Sequence, residues 1–361
     1  MVYAVFISTA VILAILALTG EGLDLSLLRE ISFAVVLSVL TCYILSLFIN
    51  SVRTVLILRL FGSRMRLRDS FVNMLLMQYF NFLTPFAAGG QPFQIYDLTK
   101  RGVEFTTAAA VIITRYVVTS TGLLVLSFFF LPRYWRVFFN IPGVGFVAFL
   151  GAFFTFALLV LLVTLSYSKF LLSKLLALLT KPRFMRRILA RAFSCKEGDV
   201  KELLWEKFEE FNTHMIWIWR RGPQHLLVDL SLTITYIFLF RFTLFIVAQS
   251  VSAVSSTTAN SVSLFQVWGA QELLNLVVYY IPTPGASGAT EAGLFFMLSG
   301  TISREALGIS LAIWRGLTYH LVIVVGTIVL LTIAKRRKKI TKEAFSDTQI
   351  SCKHSGSSDD Q

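Results

Sequence analysis

Five charged residues stand inside otherwise apolar sequence: Arg115, Arg241, Arg315, Glu272 and Glu291. A charge at the centre of a bilayer costs about 2.5–3.5 kcal/mol even on the lenient insertion scale, so such residues are candidates for function first. Arg115 and Arg315 each lie about ten residues into a long apolar run, which at ~1.5 Å per residue puts both ~15 Å deep, near the midplane. Guanidinium forks match phosphate oxygens in geometry and charge. Two such groups, with Tyr116 and Tyr319 close by in sequence, are expected to hold an anionic headgroup. Glu291 either complements a helix N-terminus or pairs with an Arg. Glu272 and Arg241 are a possible charge pair; Arg241 has no counterpart in the other half, and the plainer alternative is that it only anchors a neighbouring helix.

Each midplane Arg follows a broken apolar zone. The first reads Thr84-Pro85-Phe86-Ala87-Ala88-Gly89-Gly90-Gln91-Pro92, and Arg115 comes thirty positions after Pro85. The second reads Pro282-Thr283-Pro284-Gly285-Ala286-Ser287-Gly288-Ala289-Thr290-Glu291, and Arg315 comes thirty-one after Pro284. Breaking a helix frees N–H groups, and half-helix N-termini attract anions. Gly89, Gly90, Gly285 and Gly288 would let backbone approach a ligand, and Gln91 and Gln94 add neutral hydrogen-bonding groups. The plainer alternative is that these Pro and Gly residues only kink ordinary membrane helices.

The elements that must position these residues are read from composition and charge. Of 361 residues, 56% are hydrophobic and 15% charged, against ~45–50% and ~25% in soluble domains. A cytosolic enzyme, a secreted disulfide scaffold and a disordered chain are excluded. A helix needs about 20 apolar residues to cross. Six stretches qualify: Val2–Leu18, Ile31–Leu58, Phe105–Leu131, Val144–Ser166, Leu226–Ser250 and Glu305–Ala334. The first lacks a basic lead and a cleavage site, so it is expected to be a true span and not a signal peptide. Twenty-five of the 33 Lys and Arg residues fall in 59–69, 100–101, 167–224 and the tail from Lys335. The positive-inside rule puts these segments and both chain ends in the cytoplasm. Parity then requires the zones Ser70–Lys100 and Ser263–Gly300 to enter and leave on one face each, as two opposed re-entrant hairpins.

The expected fold is an all-α polytopic membrane protein with six full spans and two such hairpins. It forms one domain over 1–334, with inverted-topology repeats over about 31–131 and 226–334. Inverted repeats are a plan of alternating-access transporters, with the site between the repeats. Residues 167–224 read as basic helices on an anionic leaflet, and 335–361 as a basic, then disordered, cytoplasmic tail. The net charge of +13 therefore points to anionic lipid, not nucleic acid. Three cysteines without CxxC spacing offer neither a disulfide framework nor a metal set, the four histidines form no legible set with carboxylates for a metal, and no cofactor or ATP-binding motif is present.

The stretches Pro85…Gly89-Gly90-Gln91-Pro92…Gln94-Ile95-Tyr96 and Pro282-Thr283-Pro284-Gly285…Gly288…Glu291 resemble the membrane region of lysylphosphatidylglycerol synthetases, a flippase-like family also called UPF0104. The resemblance spans about residues 5–335 and implies a flippase-type fold with re-entrant helices. It further implies movement of a phospholipid between leaflets, without the soluble domain that attaches the amino acid. The expectation is a non-enzymatic flippase of the cell membrane for a phospholipid or polyprenyl-phosphate lipid, with homo-oligomerisation possible. Arg115 and Arg315 would hold the phosphate between two hairpin tips. The same features would also suit a transporter of a small organic anion, or a lipid-binding subunit that transports nothing.

Overall fold

The computed structural model describes residues 31–335, with short breaks at 141–143, 194, 222, 255–261 and 279, and scattered positions (6, 8–11, 13 and 14) of the first segment. Every regular element among the described residues is helical. The expected first span and the tail beyond residue 335 fall mostly or wholly outside them.

Local sequence explains where the helices begin and end. Helix α1 (Phe33–Leu60) starts at Ser32, whose hydroxyl accepts from Ala34 N, and ends ahead of Gly62, where φ is +71°. Helix α2 (Leu67–Leu83) stops at Thr84 because the residue before a proline is pushed out of the helical region. A tight turn, Pro85–Ala87, leads to α3 (Gly90–Lys100). Then come α4 (Phe105–Asn140), α5 (Val144–Tyr167), the short α6 (Lys169–Thr180) and α7 (Arg183–Phe193), and α8 (Val200–Arg221). Helix α9 (Pro223–Val254) opens on a proline, which costs nothing at a first helical position. Helix α10 (Leu264–Val278), the turn Pro284–Ala286 and α11 (Ala289–Leu298) repeat the helix–turn–helix pattern of α2 and α3. Helix α12 (Arg304–Lys335) is capped by Ser303 and contains one wide π turn at Gly316–His320.

Among the described residues, α1, α4, α5, α9 and α12 contain stretches long and apolar enough to cross a membrane. Helices α2, α3, α10 and α11 have 17, 11, 15 and 10 residues, fewer than the ~20 a crossing needs. Outward-facing Phe128, Phe129, Phe146, Phe149 and Phe153 are exposed, as side chains that face hydrocarbon must be. Inside, α1 lies along α9, and α9 also packs on α12, α10 and α4. The largest apolar core gathers Phe130, Leu244, Val247, Leu273, Leu307 and Trp314 from α4, α9, α10 and α12. The two proline turns pack against each other.

Those turns share one backbone trace. Thr84 (φ −106°, ψ 144°) matches Thr283 (φ −103°, ψ 147°), and Phe86 (φ 57°, ψ 14°) matches Gly285 (φ 59°, ψ 23°). Ala87 and Ala286 follow with φ of 49° and 52°. Left-handed backbone costs a non-glycine residue roughly 1–2 kcal/mol, so surrounding packing must hold these turns. Gly285 has no choice: a Cβ there would stand 2.7 Å from the Tyr319 ring and 3.1 Å from Phe82 Cα.

Candidate functional site

Among the described residues, three buried polar clusters hold the charged residues singled out by the sequence. The first surrounds the second turn. Glu291, fully buried, accepts from Gly288 N on one oxygen at 2.8 Å. Its other oxygen lies 2.9 Å from Arg315 Nε and accepts from the Ser8 hydroxyl at 2.8 Å. Glu291 thus caps α11 and neutralises Arg315 at once. The π turn places Tyr319 beside Arg315, whose guanidinium carbon sits 4.9 Å from the ring centre. Ser287 donates to the Tyr319 hydroxyl at 2.8 Å, fastening the turn to α12. Wide turns of this kind occur often at functional positions.

The second cluster joins α1, α4 and α9. Arg53 makes a two-pronged ion pair with Asp229, at 2.7 and 2.8 Å. Its remaining N–H groups reach Asn50 and Thr119. Arg115, 5% exposed, donates to the Thr54 hydroxyl and to both oxygens of Asn50, and its Nε lacks a partner. Among the described residues no carboxylate stands within ion-pair distance of it. The third cluster, on α9 and α10, pairs Arg241 Nε with Glu272 at 3.0 Å, and the Trp268 indole donates to the same carboxylate. Counting formal charges, the Arg53–Asp229 and Arg241–Glu272 pairs cancel. Arg115 keeps its own.

Arg115 and Arg241 line one cavity of about 190 Å³, with Asn50, Gln78, Asn81, Gln91 and Tyr116. A second space of about 600 Å³ adjoins it and is mostly apolar, walled by Ile95, Ile113, Leu124, Leu158 and Leu276. Asn81, Gln91, Ile112, Tyr116, Thr119 and Leu123 belong to both walls. The two spaces therefore form a chamber of mixed polarity, carrying two arginines, that adjoins an apolar groove.

The structure separates residues that sequence spacing had joined. Among the described residues, Arg315, Glu291 and Tyr319 line neither the chamber nor the groove. Gln94 lines the chamber but is tied to Asn73 on α2, and Asn73 in turn donates to Asp97. Phe86, Gln91 and Pro92 border the groove. Pro85 and Pro282 are exposed. The freed amides expected to attract an anion are closed internally: Gly89 N by the Thr84 hydroxyl and Gly90 N by Asn81, both at 2.9 Å, and Gly288 N by Glu291. Acceptors from α2 (Asn81), the turn itself (Thr84) and the first turn of α11 (Glu291) already occupy these amides. Residues that sequence reasoning passed over include Asn50, Thr54, Thr119 and Asn275. Their one signal is neutral polarity inside apolar spans.

This geometry defines a multi-pass α-helical membrane protein that keeps its polar residues inside the bundle. The chain belongs to the family described as the lysylphosphatidylglycerol synthase TM region, whose pattern matches residues 1–326. It is also similar to a UPF0104 membrane protein of Archaeoglobus fulgidus, 23% identical over 247 residues, which is 68% of this chain and 70% of that protein.

Proposed function

We propose that this protein carries a phospholipid or polyprenyl-phosphate lipid across the cell membrane, with the phosphate in the chamber and the chains along the groove. One observation carries the reading: a buried, uncompensated Arg115 in a chamber of mixed polarity that adjoins about 600 Å³ of mainly apolar space. A small organic anion would need the chamber and would leave the groove without purpose. Arg115 attracts the phosphate; Asn50, Gln91 and Tyr116 supply neutral contacts that release it again. No step of this work breaks a covalent bond, so the protein acts as a carrier and not as an enzyme.

Alternating access supplies the movement. Helices α2–α3 and α10–α11 act as re-entrant hairpins of an inverted repeat. The matched turn dihedrals and the packing of turn on turn support this. So does the Arg101–Asp69 pair at 2.7 Å, which ties the two ends of the first hairpin together. Lys and Arg bias favours cytoplasmic termini. Helices α6 and α7 rest on the anionic leaflet, with Phe170, Phe184 and Ile188 exposed among Lys174, Arg186 and Arg187. Arg183, Arg186, Arg187 and Arg191 should each contribute ~1 kcal/mol, about fivefold in affinity, to binding anionic vesicles by a 169–193 peptide. Equal binding to zwitterionic vesicles would refute that placement.

The main test is leaflet exchange of a fluorescent phosphatidylglycerol in proteoliposomes, read by dithionite quenching. Arg115→Gln should slow exchange about tenfold or more, the value of one charge-assisted hydrogen bond. Leu123→Trp, which narrows the passage between chamber and groove, should do the same. Wild-type exchange rates in both variants would overturn the reading. Uptake of a soluble organic anion without lipid exchange would favour the solute transporter, and lipid binding without either would favour the non-transporting subunit.

A further inference from the structure

At one end of the bundle, away from the chamber, α8 carries Glu210 and His214 four positions apart, so both project from one face. The loop between α3 and α4 sets Glu104 opposite them. One carboxylate oxygen from each Glu and one ring nitrogen of His214 all lie within 4.8 Å of one another. Ligands at ~2.0–2.2 Å around a tetrahedral Zn2+ stand ~3.4 Å apart, so small side-chain rotations close the set on a single ion.

The surroundings favour an ion over a chance meeting of side chains. Thr107 Oγ1 lies 3.4 Å from His214 Nδ1, and Phe61 packs edge-on against the ring with centroids 5.1 Å apart, so the imidazole is held in place. Thr106 is 1% exposed, and its hydroxyl points at Glu210 without meeting any partner at hydrogen-bonding geometry. That hydroxyl is placed to orient the Glu210 carboxylate or to take a metal-bound water. Glu104 and Thr107 also border a solvent-facing cavity of about 550 Å³, through which an ion and its remaining ligands can enter.

Lys207 stands nearby, its ammonium 2.9 Å from Glu210 and 3.8 Å from Glu104. Its side chain is one-third exposed and free to swing outward. A monovalent ammonium offsets one carboxylate and makes no use of the His214 nitrogen. A dication balances both carboxylates and binds that nitrogen directly.

We propose that Glu104, Glu210 and His214 bind one divalent transition-metal ion, Zn2+ or a close relative, which ties the α3–α4 loop to α8. The test is calorimetric titration of ZnCl2 into the full chain, purified in detergent and stripped with chelator, alongside metal analysis after gel filtration. The wild type should take up one equivalent and gain thermal stability on doing so. Glu104→Gln and His214→Ala should each weaken affinity by at least about tenfold while melting like the stripped wild type. Lys207→Ala should bind as tightly or more tightly, because the competing ammonium is gone. Absence of uptake by the wild type, or uptake that neither Glu104→Gln nor His214→Ala alters, would overturn the proposal.

Discussion

Neutralising Glu291 should cost more than any other single change at the second turn. Its carboxylate has three tasks: capping α11 through Gly288 N, accepting from Ser8, and countering Arg315 at 2.9 Å. Glu291→Gln keeps the shape and at least part of the hydrogen bonding, but it leaves the Arg315 charge alone. Side-chain exposure is 5% for Arg315 and 0% for Glu291, so solvent cannot screen the loss. Breaking a buried pair from one side costs roughly 3–5 kcal/mol. In a chain of this size that corresponds to a fall in melting temperature on the order of 5–10 °C. Arg315→Gln should cost a similar amount by stranding Glu291. The double variant removes both charges and should recover most of the loss, because a buried ion pair is worth little against neutral groups of the same shape. A double-mutant cycle in detergent, read by thermal unfolding, measures this coupling. If the two single losses simply add in the double variant, the pair is not what fastens the turn to α12.

Three further changes separate geometry from charge. Gly285→Ala places a Cβ against Tyr319 and Phe82 on left-handed backbone and should cost about 1–3 kcal/mol in thermal unfolding, whereas Phe86→Asn at the matched position should cost nothing. Gly151→Ala would put a Cβ 1.6 Å from the Leu276 carbonyl oxygen, forcing α5 away from α10; it should lower the melting temperature markedly, while Gly198→Ala, with nothing within 4 Å, should leave it unchanged. Gln91→Glu adds a carboxylate to the wall of the Arg115 chamber, so it should raise stability and suppress lipid exchange together; unimpaired exchange would speak against Arg115 as the phosphate site.

Helical class, the breaks at Pro85 and Pro284 and the main apolar spans were legible because each rests on local sequence. A pre-proline threonine must leave the helix, and twenty apolar residues must hide from water. The burial of Arg115 and Arg315 was legible from their apolar surroundings. Glu291 was already legible as a helix cap or an Arg partner, but the partners of Arg115 were not, since Asn50 and Thr54 lie more than sixty positions away in the chain. Sequence spacing also suggested that symmetric arginines share a cavity, but Glu291 holds Arg315 against its own turn. The closed amides escaped notice for a similar reason: Asn81 reads as an ordinary residue of α2, and Thr84 reads as a group for a ligand, until the backbone folds back onto them. Gly151 gave no sign at all, because its role is the distance between two helices.

The two turns are alike in backbone and unlike in charge, and the difference falls where a carrier would need it. In the second half of the chain Arg315 meets a built-in carboxylate. In the first half the position matching Glu291 is Pro92, and Arg115 meets only the neutral oxygens of Asn50 and Thr54. A buried guanidinium without a counter-ion is costly, and the cost is relieved by any anion that can enter. Under the proposed function the chamber would admit one, and the mostly apolar groove beside it would take what an aqueous ion lacks: hydrocarbon. A lipid phosphate would thus do for Arg115 what Glu291 does for Arg315. Because it is not tethered, it can leave again.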